Sequence, residues 1–396
     1  MATDAATNGE ALGRRLRLGM VGGGQGAFIG GVHRIAARLD DRYELVAGAF
    51  SSDPDRSRAS AAELGVSSER AYGRYAEMAA AEAARGDGID IVAIVTPNHL
   101  HHGPATAFLK AGIHVICDKP LTTTLDDAMD LAKTVRRTGL VFGLTHNYTG
   151  YPMVRQAREM VLAGELGAIR VVQVEYAQDW LSEKIEDTGH KQAAWRTDPK
   201  QAGPAGCVGD IGTHAYHLTT FVTGLEVTEL CAELTAFVPG RALDDNAHML
   251  LRFEGGARGQ LWSSQVAAGN QCALRIRVYG EKGGLEWHQE HPDHLHHSPL
   301  GQPPRTITRG GAGAGPAAGR VTRVPAGHPE GYLEGFANIY LDIAEVVSAR
   351  LEDRDPDPGA CDFPSVEDGV RGVKFIEAAV ESSARGGVWV DARISI

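Results

Sequence analysis

Four groups of residues in this chain have types and spacings suited to moving a proton and a hydride. In GPAGCVGDIGTHAYHLTTFVTG, Asp210 and His214 stand four apart, and Leu218, Phe221 and Val222 continue with helical spacing. Both polar side chains are therefore expected on one face of a helix. An imidazole titrates near neutral pH and can take a proton from a hydroxyl, while a carboxylate beside it orients the ring and stabilises its charged form. A capping aspartate with an incidental histidine would be spelled the same way. In HVICDKPLTTT, Lys119 lies between Asp118 and Pro120 at the end of an apolar run, where it would present a cation to a cleft beyond that run. Taken alone, it reads more often as a solvated surface lysine than as a site residue.

The third group, IVTPNHLHHGPA, ends another apolar run with Thr96, Pro97, Asn98, His99, His101 and His102. No carboxylate or cysteine completes a ligand set with these histidines, so no metal is expected. The fourth is VGGGQGAFIGGVHR, in which glycines permit a tight turn and close approach to a pyrophosphate at the N-terminus of the next helix. Two registers fit. Gly22, Gly24 and Ala27 make the compact pattern, enclosing Gln25 and Gly26 and followed by Phe28; Gly22, Gly24 and Gly30 make a loop three residues longer. The longer register puts Ser51 near the ribose-reading position. The tip there is Phe50-Ser51-Ser52-Asp53, followed by Arg56 and Arg58. Serines and arginines suit a 2'-phosphate, so the reading leans to NADP with NAD as the alternative; Asp53 reads either as a ribose acceptor or as an N-cap before Pro54.

These residues need elements to position them. From Leu16 to Thr145, short runs rich in Val and Ile (LRLGMV, YELVAGAF, IDIVAIVT, HVICD, VFGLT) alternate with helical stretches, the pattern of buried parallel strands with crossover helices. This predicts a doubly wound α/β domain. After Tyr148 the runs lengthen and alternate, as in IRVVQVEYAQDW and ALRIRVYGEKGGLEW, with short glycine turns. The expectation is an α+β domain with a large, mainly antiparallel sheet, open on one face and covered on the other by helices near 152–163, 208–223, 330–350 and 366–385. The boundaries read as a mobile tail over 1–13, a dinucleotide-binding domain over 14–146 and a second domain over 147–396. RGGAGAGPAAGR (309–320) reads as a mobile loop without core. His288, His291, His294, His296 and His297 read as a solvated strand and turn rather than a metal site.

The 396 residues include 39 Lys plus Arg against 50 Asp plus Glu, a net charge of -11 that disfavours nucleic-acid binding. No apolar run approaches the length of a membrane span. Five cysteines without a C-x-x-C pair fit neither a disulfide framework nor a thiolate zinc site, and Arg14-Arg15 is not followed by a separate apolar segment. The expected location is the cytoplasm.

The glycine turn, TPNHLHH, DKP and DIGTH in this order, before an antiparallel pattern ending in YGEKGGLEW, resemble the glucose-fructose oxidoreductase, inositol dehydrogenase and rhizopine-catabolism (Gfo/Idh/MocA) family from Leu16 onward. The resemblance implies a Rossmann domain, a second domain whose open sheet mediates homodimers or homotetramers, and NAD(P)-linked oxidation or reduction of a sugar, glycoside or cyclitol hydroxyl. It assigns Lys119, Asp210 and His214 as catalytic, with His214 the base and Asp210 orienting it. It places Pro97, Asn98 and His101 near the nicotinamide, with Trp195 and Arg196 touching cofactor or substrate. Tyr148, Tyr151 and Arg155 are candidates for substrate hydroxyls, as are His328 and Glu330 in GHPEGYLEGF. The long glycine loop and His217, where the family usually has Asp, are departures. Alternatives within this resemblance are an epimerase or sugar-sugar oxidoreductase with a tightly held cofactor, and a sensor without chemistry; the presence of all three catalytic residues argues against the sensor.

Overall fold

The computed structural model describes residues 13–396. The expected tail, except Gly13, lies outside them. The five apolar runs form β1 (Leu16–Gly22), β2 (Tyr43–Ala49), β3 (Ile91–Val95), β4 (His114–Cys117) and β5 (Phe142–Leu144). They make one parallel sheet of order β2-β1-β3-β4-β5. All residues of β3 and β4 are buried, as required of central strands covered on both faces. The crossovers carry α1 (Phe28–Leu39), α2 (Pro54–Glu63), α3 (Tyr75–Ala83), α4 (His102–Lys110) and α5 (Leu125–Thr138). Strand order reverses between β1 and β3, so the loops after these two strands diverge and leave a crevice at the carboxyl edge. The glycine turn and TPNH stand on its two sides.

The second sheet has nine strands, β6 (Ile169–Ala177), β7 (Val227–Thr235), β8 (Asn246–Phe253), β9 (Arg258–Ser264), β10 (Ala273–Gly280), β11 (Gly283–His288), β12 (His294–Pro299), β13 (Arg305–Thr308) and β14 (Val390–Asp391). Their order is β13-β12-β11-β10-β6-β9-β8-β7-β14, and only the β6–β9 pair is parallel. Val172, Val174 and Leu261 point into the core beneath α6 (Pro152–Leu162) and α9 (Thr213–Thr223). Alternate positions such as Leu250 and Tyr279 remain exposed on the open face. Short helices α7 (Lys191–Arg196) and α8 (Pro199–Ala202) precede α9; α10 (Pro316–Gly319), α11 (Tyr332–Leu351) and α12 (Val366–Ala384) follow the sheet.

Packing crosses residue 147. Phe336, Ile339, Tyr340 and Ile343 of α11 enter the core of the first domain beside Leu18 and Tyr43, and Val366, Val370 and Val373 of α12 pack with Leu121 and Leu131. Tyr43 Oη donates to the Tyr340 carbonyl at 2.8 Å. Part of the chain's C-terminal third therefore completes the core of the first domain.

The expectation of a coreless mobile loop at 309–320 is corrected. Arg309 is buried, with Nε 2.7 Å from Asp293 Oδ1 and Nη1 3.0 Å from Glu330 Oε1, and Ala318 of α10 is fully buried against the main core. One buried guanidinium with two carboxylate partners anchors a segment that composition makes look loose. In the histidine-rich strand His294 and His296 are exposed, whereas His297 is buried and accepts from Arg305. Among the described residues, no three His, Cys, Asp or Glu side chains gather to hold a metal ion.

Candidate functional site

The carboxyl edge of the first sheet opens into a cleft of about 1150 Å³ that continues between the two domains. At one end lies the glycine turn. Gly22 has φ +78°, and a Cβ there would sit 2.5 Å from the Val95 carbonyl oxygen. A Cβ on Gly30 would sit 2.4 Å from the Gly23 carbonyl oxygen, so Gly30 is the glycine that lets α1 pack on the turn, and the longer register is the one built. Ala27 caps α1 without a side-chain hydrogen bond and no acidic residue occupies its first turn. The first N–H groups of α1 are thus left for an anion, in a cradle lined by Gly22, Gly24, Gln25, Ala27 and Phe28.

At the tip of β2 the cleft is lined by Ser51, Ser52 and Arg56, and by Arg74 and Tyr75 from the start of α3. The Asp53 carboxylate accepts from the backbone N–H groups of Asp55 and Arg56, which makes it the N-cap of α2. Among the described residues neither Arg56 nor Arg74 has an ion-pair partner. The opposite wall carries Thr96, Pro97 and Asn98; the Asn98 amide donates to the Ala202 carbonyl at 3.1 Å, tying this wall to α8.

The inner end brings Lys119, Tyr148, Trp195, Arg196, Asp210 and His214 together. Asp210 lies in a π-helical turn, Val208–Gly212, which leads into α9. The turn is fixed at its start by Asp244, whose carboxylate accepts from Gly206 N at 2.7 Å and Val208 N at 2.9 Å; burial pushes this carboxyl up to about 6. The wider turn changes the direction of the Asp210 side chain relative to an α-helix. Asp210 Oδ1 accepts from Lys119 Nζ at 3.2 Å, and Oδ2 accepts from Arg196 Nε at 3.2 Å and Gln265 Nε2 at 2.8 Å. Burial would raise this carboxyl, but Arg196 and Lys119 outweigh it and hold it well below the usual carboxylate range. Among the described residues no hydrogen bond joins Asp210 to His214, contrary to the expectation from their spacing.

His214 faces the cleft from α9, with the Tyr148 ring edge-on at 4.9 Å between centroids. Burial pushes its pKa well below 6.5, Lys119 pushes the same way and Asp210 opposes. This shift keeps the imidazole in its neutral form at neutral pH, the form that has a lone pair for a proton.

Several expected residues do not line the cleft. Gly26 is not among the lining residues, and open space lies where a Cβ would stand. His101 is buried behind TPNH, with Nδ1 2.8 Å from the Pro120 carbonyl and Nε2 2.9 Å from the Thr96 carbonyl, so it braces two cleft loops. Tyr151 is buried against Trp287. Arg155 is buried and pairs with Asp342 at 2.5 Å. His328 is exposed and lends its carbonyl to Arg309, while Glu330 is buried, pairing with Arg309. Trp287 and Asp342 lie far from Tyr151 and Arg155 in sequence, so motif position alone misplaces these two. Conversely, Arg74, Asn147, Tyr176, Gln178, Trp180 and Gln192 line the cleft although no motif marks them. Gln178 and Gln265 each directly follow a strand that ends at the site, and polar residues at strand ends are the signal that points to them.

A switch-point cradle joined to a second, sheet-based domain, with a lysine, a carboxylate and an imidazole at their junction, defines a two-domain Rossmann-type protein. The family model described as "Oxidoreductase family, NAD-binding Rossmann fold" matches residues 16–146, and the one described as "GFO/IDH/MocA C-terminal domain" matches 154–286. The chain belongs to the Gfo/Idh/MocA oxidoreductase family. It is 55% identical to an oxidoreductase from Sinorhizobium meliloti of known structure, covering 95% of this chain and 99% of that one with a TM-score of 0.87. An inositol dehydrogenase homolog from Azotobacter vinelandii, solved with NAD+, is 39% identical over 98% of this chain and 100% of its own, with a TM-score of 0.92; the homolog is also solved with NADH and myo-inositol. Levoglucosan dehydrogenase of Pseudarthrobacter phenanthrenivorans is 26% identical over 96% of this chain and 98% of its own length.

Proposed function

We propose that this protein is an NAD(P)-dependent dehydrogenase that oxidises a secondary hydroxyl of a cyclitol or sugar, and that His214 is its general base. The observation that carries the reading is the placement of Lys119, Asp210 and His214 in the same cleft as the uncapped N-terminus of α1. The dinucleotide fits the residues present: the glycine turn makes room for its backbone approach, and the free N–H groups of α1 suit its pyrophosphate. When bound, the nicotinamide supplies the hydride acceptor.

The remaining work falls to the chain. His214 Nε2 takes the hydroxyl proton as the carbon loses its hydride, and gives it back in reduction. Lys119, positioned by Asp210, holds the same oxygen and stabilises negative charge developing on it. Tyr148, Tyr176 and Gln178 offer hydroxyl and amide groups to the rest of a polyol, while Tyr332 and Phe336 wall the cleft against water. The relatives solved or named with myo-inositol and levoglucosan support a cyclic polyol as substrate.

The finer cofactor choice, NADP ahead of NAD, is supported by Arg56 and Arg74 without acidic partners and by Asp53 engaged as a cap. Five free cysteines support a reducing cytoplasmic location. The open face of the second sheet, with Leu250 52% exposed, supports a homodimer or homotetramer.

Purified wild-type and H214A proteins, assayed with inositols, aminocyclitols, sugars and glycosides and either NAD+ or NADP+, test this reading. The expected result is turnover by the wild type and none by H214A, which still binds the cofactor. Unchanged turnover by H214A would overturn the base assignment.

A further inference from the structure

His214 needs a partner behind it, and Asp210 is not that partner. A base that takes a proton on Nε2 must carry its own proton on Nδ1, so a group facing Nδ1 decides whether the ring is ready. The atom facing His214 Nδ1 is Nδ1 of His146, 3.5 Å away, with the two rings nearly perpendicular at 87°. Among the described residues His214 Nε2 has no hydrogen-bond partner, which leaves it for the substrate. We propose that His146 is a positioning residue, accepting the Nδ1–H of His214 and so holding the base in the tautomer that accepts protons on Nε2. This inference rests on the dehydrogenase reading and adds to it the residue that prepares the base.

His146 is built to hold one orientation. It lies just after β5, and its carbonyl accepts from both the N–H and the hydroxyl of Thr149, at 3.2 and 2.9 Å. Its ring lies flat on His217, with centroids 4.2 Å apart and planes 10° from parallel. It is buried, and burial lowers its pKa well below 6.5, with His217, His214 and Lys119 adding to the effect. A neutral imidazole has a lone pair on one nitrogen, which is what an acceptor for His214 requires. The other groups facing His214 do not compete for its Nδ1: Tyr148 and Tyr176 approach its ring edgewise or tilted and pair their hydroxyls with each other, and Lys119 is directed to Asp210.

In the forward step the substrate O–H bond breaks, its proton bonds to His214 Nε2, and the resulting imidazolium keeps its Nδ1–H directed at His146. That contact becomes charge-assisted as the ring gains its proton. The carbon–hydrogen pair of electrons leaves as hydride to the oxidised nicotinamide, so the alcohol is oxidised and the cofactor reduced.

The test is the nitrogen-15 spectrum of histidine-labelled protein, which reports tautomers without any substrate, together with steady-state rates. In the wild type the His214 signal, assigned by its loss in H214A, is expected to show the Nδ1–H tautomer. In H146A it is expected to become a mixture, and kcat to fall within the ~10²–10⁴-fold contribution of a general base while the KM for cofactor stays unchanged. H146N, whose amide oxygen can accept the same proton, is expected to recover the tautomer and part of kcat. An Nε2–H tautomer in the wild type, or an unaltered tautomer and kcat in H146A, would overturn the proposal. If H146A fails to fold, the wild-type and H146N spectra decide. Because the spectra need no substrate, failure of the dehydrogenase reading would show separately, as absence of turnover with the tautomer intact.

Discussion

Asp210 meets Lys119, Arg196 and Gln265, while His214 meets His146, and these partners divide the labour between two charge systems. In the proposed reaction one keeps a cation aimed at the substrate oxygen; the other keeps a neutral base beside it. Replacing Asp210 with Asn removes the charge that opposes Lys119 and Arg196, so the lysine loses its aim. D210N is expected to lower kcat by ~10²-fold, the scale of losing one preorganised electrostatic group, with little change in cofactor affinity. Steady-state kinetics beside cofactor titration checks this, and an unchanged kcat would contradict it. The sequence makes Lys119, Asp210 and His214 legible as a set because their motifs end strands or open helices in a fixed order. The contact between His146 and His214 is not legible, since nothing local relates two positions 68 residues apart. Nor is the π turn, because a four-residue spacing matches α-helical periodicity.

The parallel strands are the most legible elements, since a five-residue run as uniformly apolar as Ile91–Val95 is too short for a helix and too apolar for a loop. The glycine turn is legible in kind but not in register. Its register rests on Gly30, where a methyl group would collide with the Gly23 backbone. G30A is therefore expected to cost about 1–3 kcal/mol of stability through overpacking and to weaken cofactor binding by pushing α1 off the turn. Equal thermal midpoints and equal dissociation constants would contradict it. Segment 309–320 misleads in the opposite sense, because its glycine-rich spelling hides Arg309, which reaches Asp293 and Glu330 from a buried position. Truncating that guanidinium leaves the buried Glu330 carboxylate held only by the backbone N–H groups of Arg323 and Val324, with no counter-charge among the described residues. R309A is expected to destabilise the fold by about 3–5 kcal/mol, measurable by denaturant unfolding, whereas a change below ~1 kcal/mol would show the segment to be independent of the core.

Among the described residues, seven histidines are buried with depressed pKa values, His33 and His114 to about 4 and His101, His146, His214, His217 and His297 in the same direction, in each case chiefly through burial. The folded state thus resists protonation that the unfolded chain accepts near pH 6.5. Their contribution to stability is full above that pH and is lost as pH falls from about 6.5 towards 4, by about 1.4 kcal/mol per pH unit for each histidine that titrates only when unfolded. Asp244, raised to about 6, works against this with one proton. The melting temperature is expected to fall steeply between pH 7 and 5, and a flat profile would contradict the burial of these rings. The two-domain plan is legible from the change in strand pattern near Tyr148, but the return of α11 and α12 to the first domain is not, because their apolar faces do not announce which sheet they cover. In the proposed function this assembled cleft passes a hydride from a polyol carbon to a nicotinamide. Carbon-deuterated inositols and sugars, incubated with the protein and oxidised cofactor, test it directly through the mass of the reduced cofactor. The expected product is reduced nicotinamide carrying one deuterium from the substrate carbon; reduced cofactor without the label, or none with any polyol, would overturn the hydride-transfer reading.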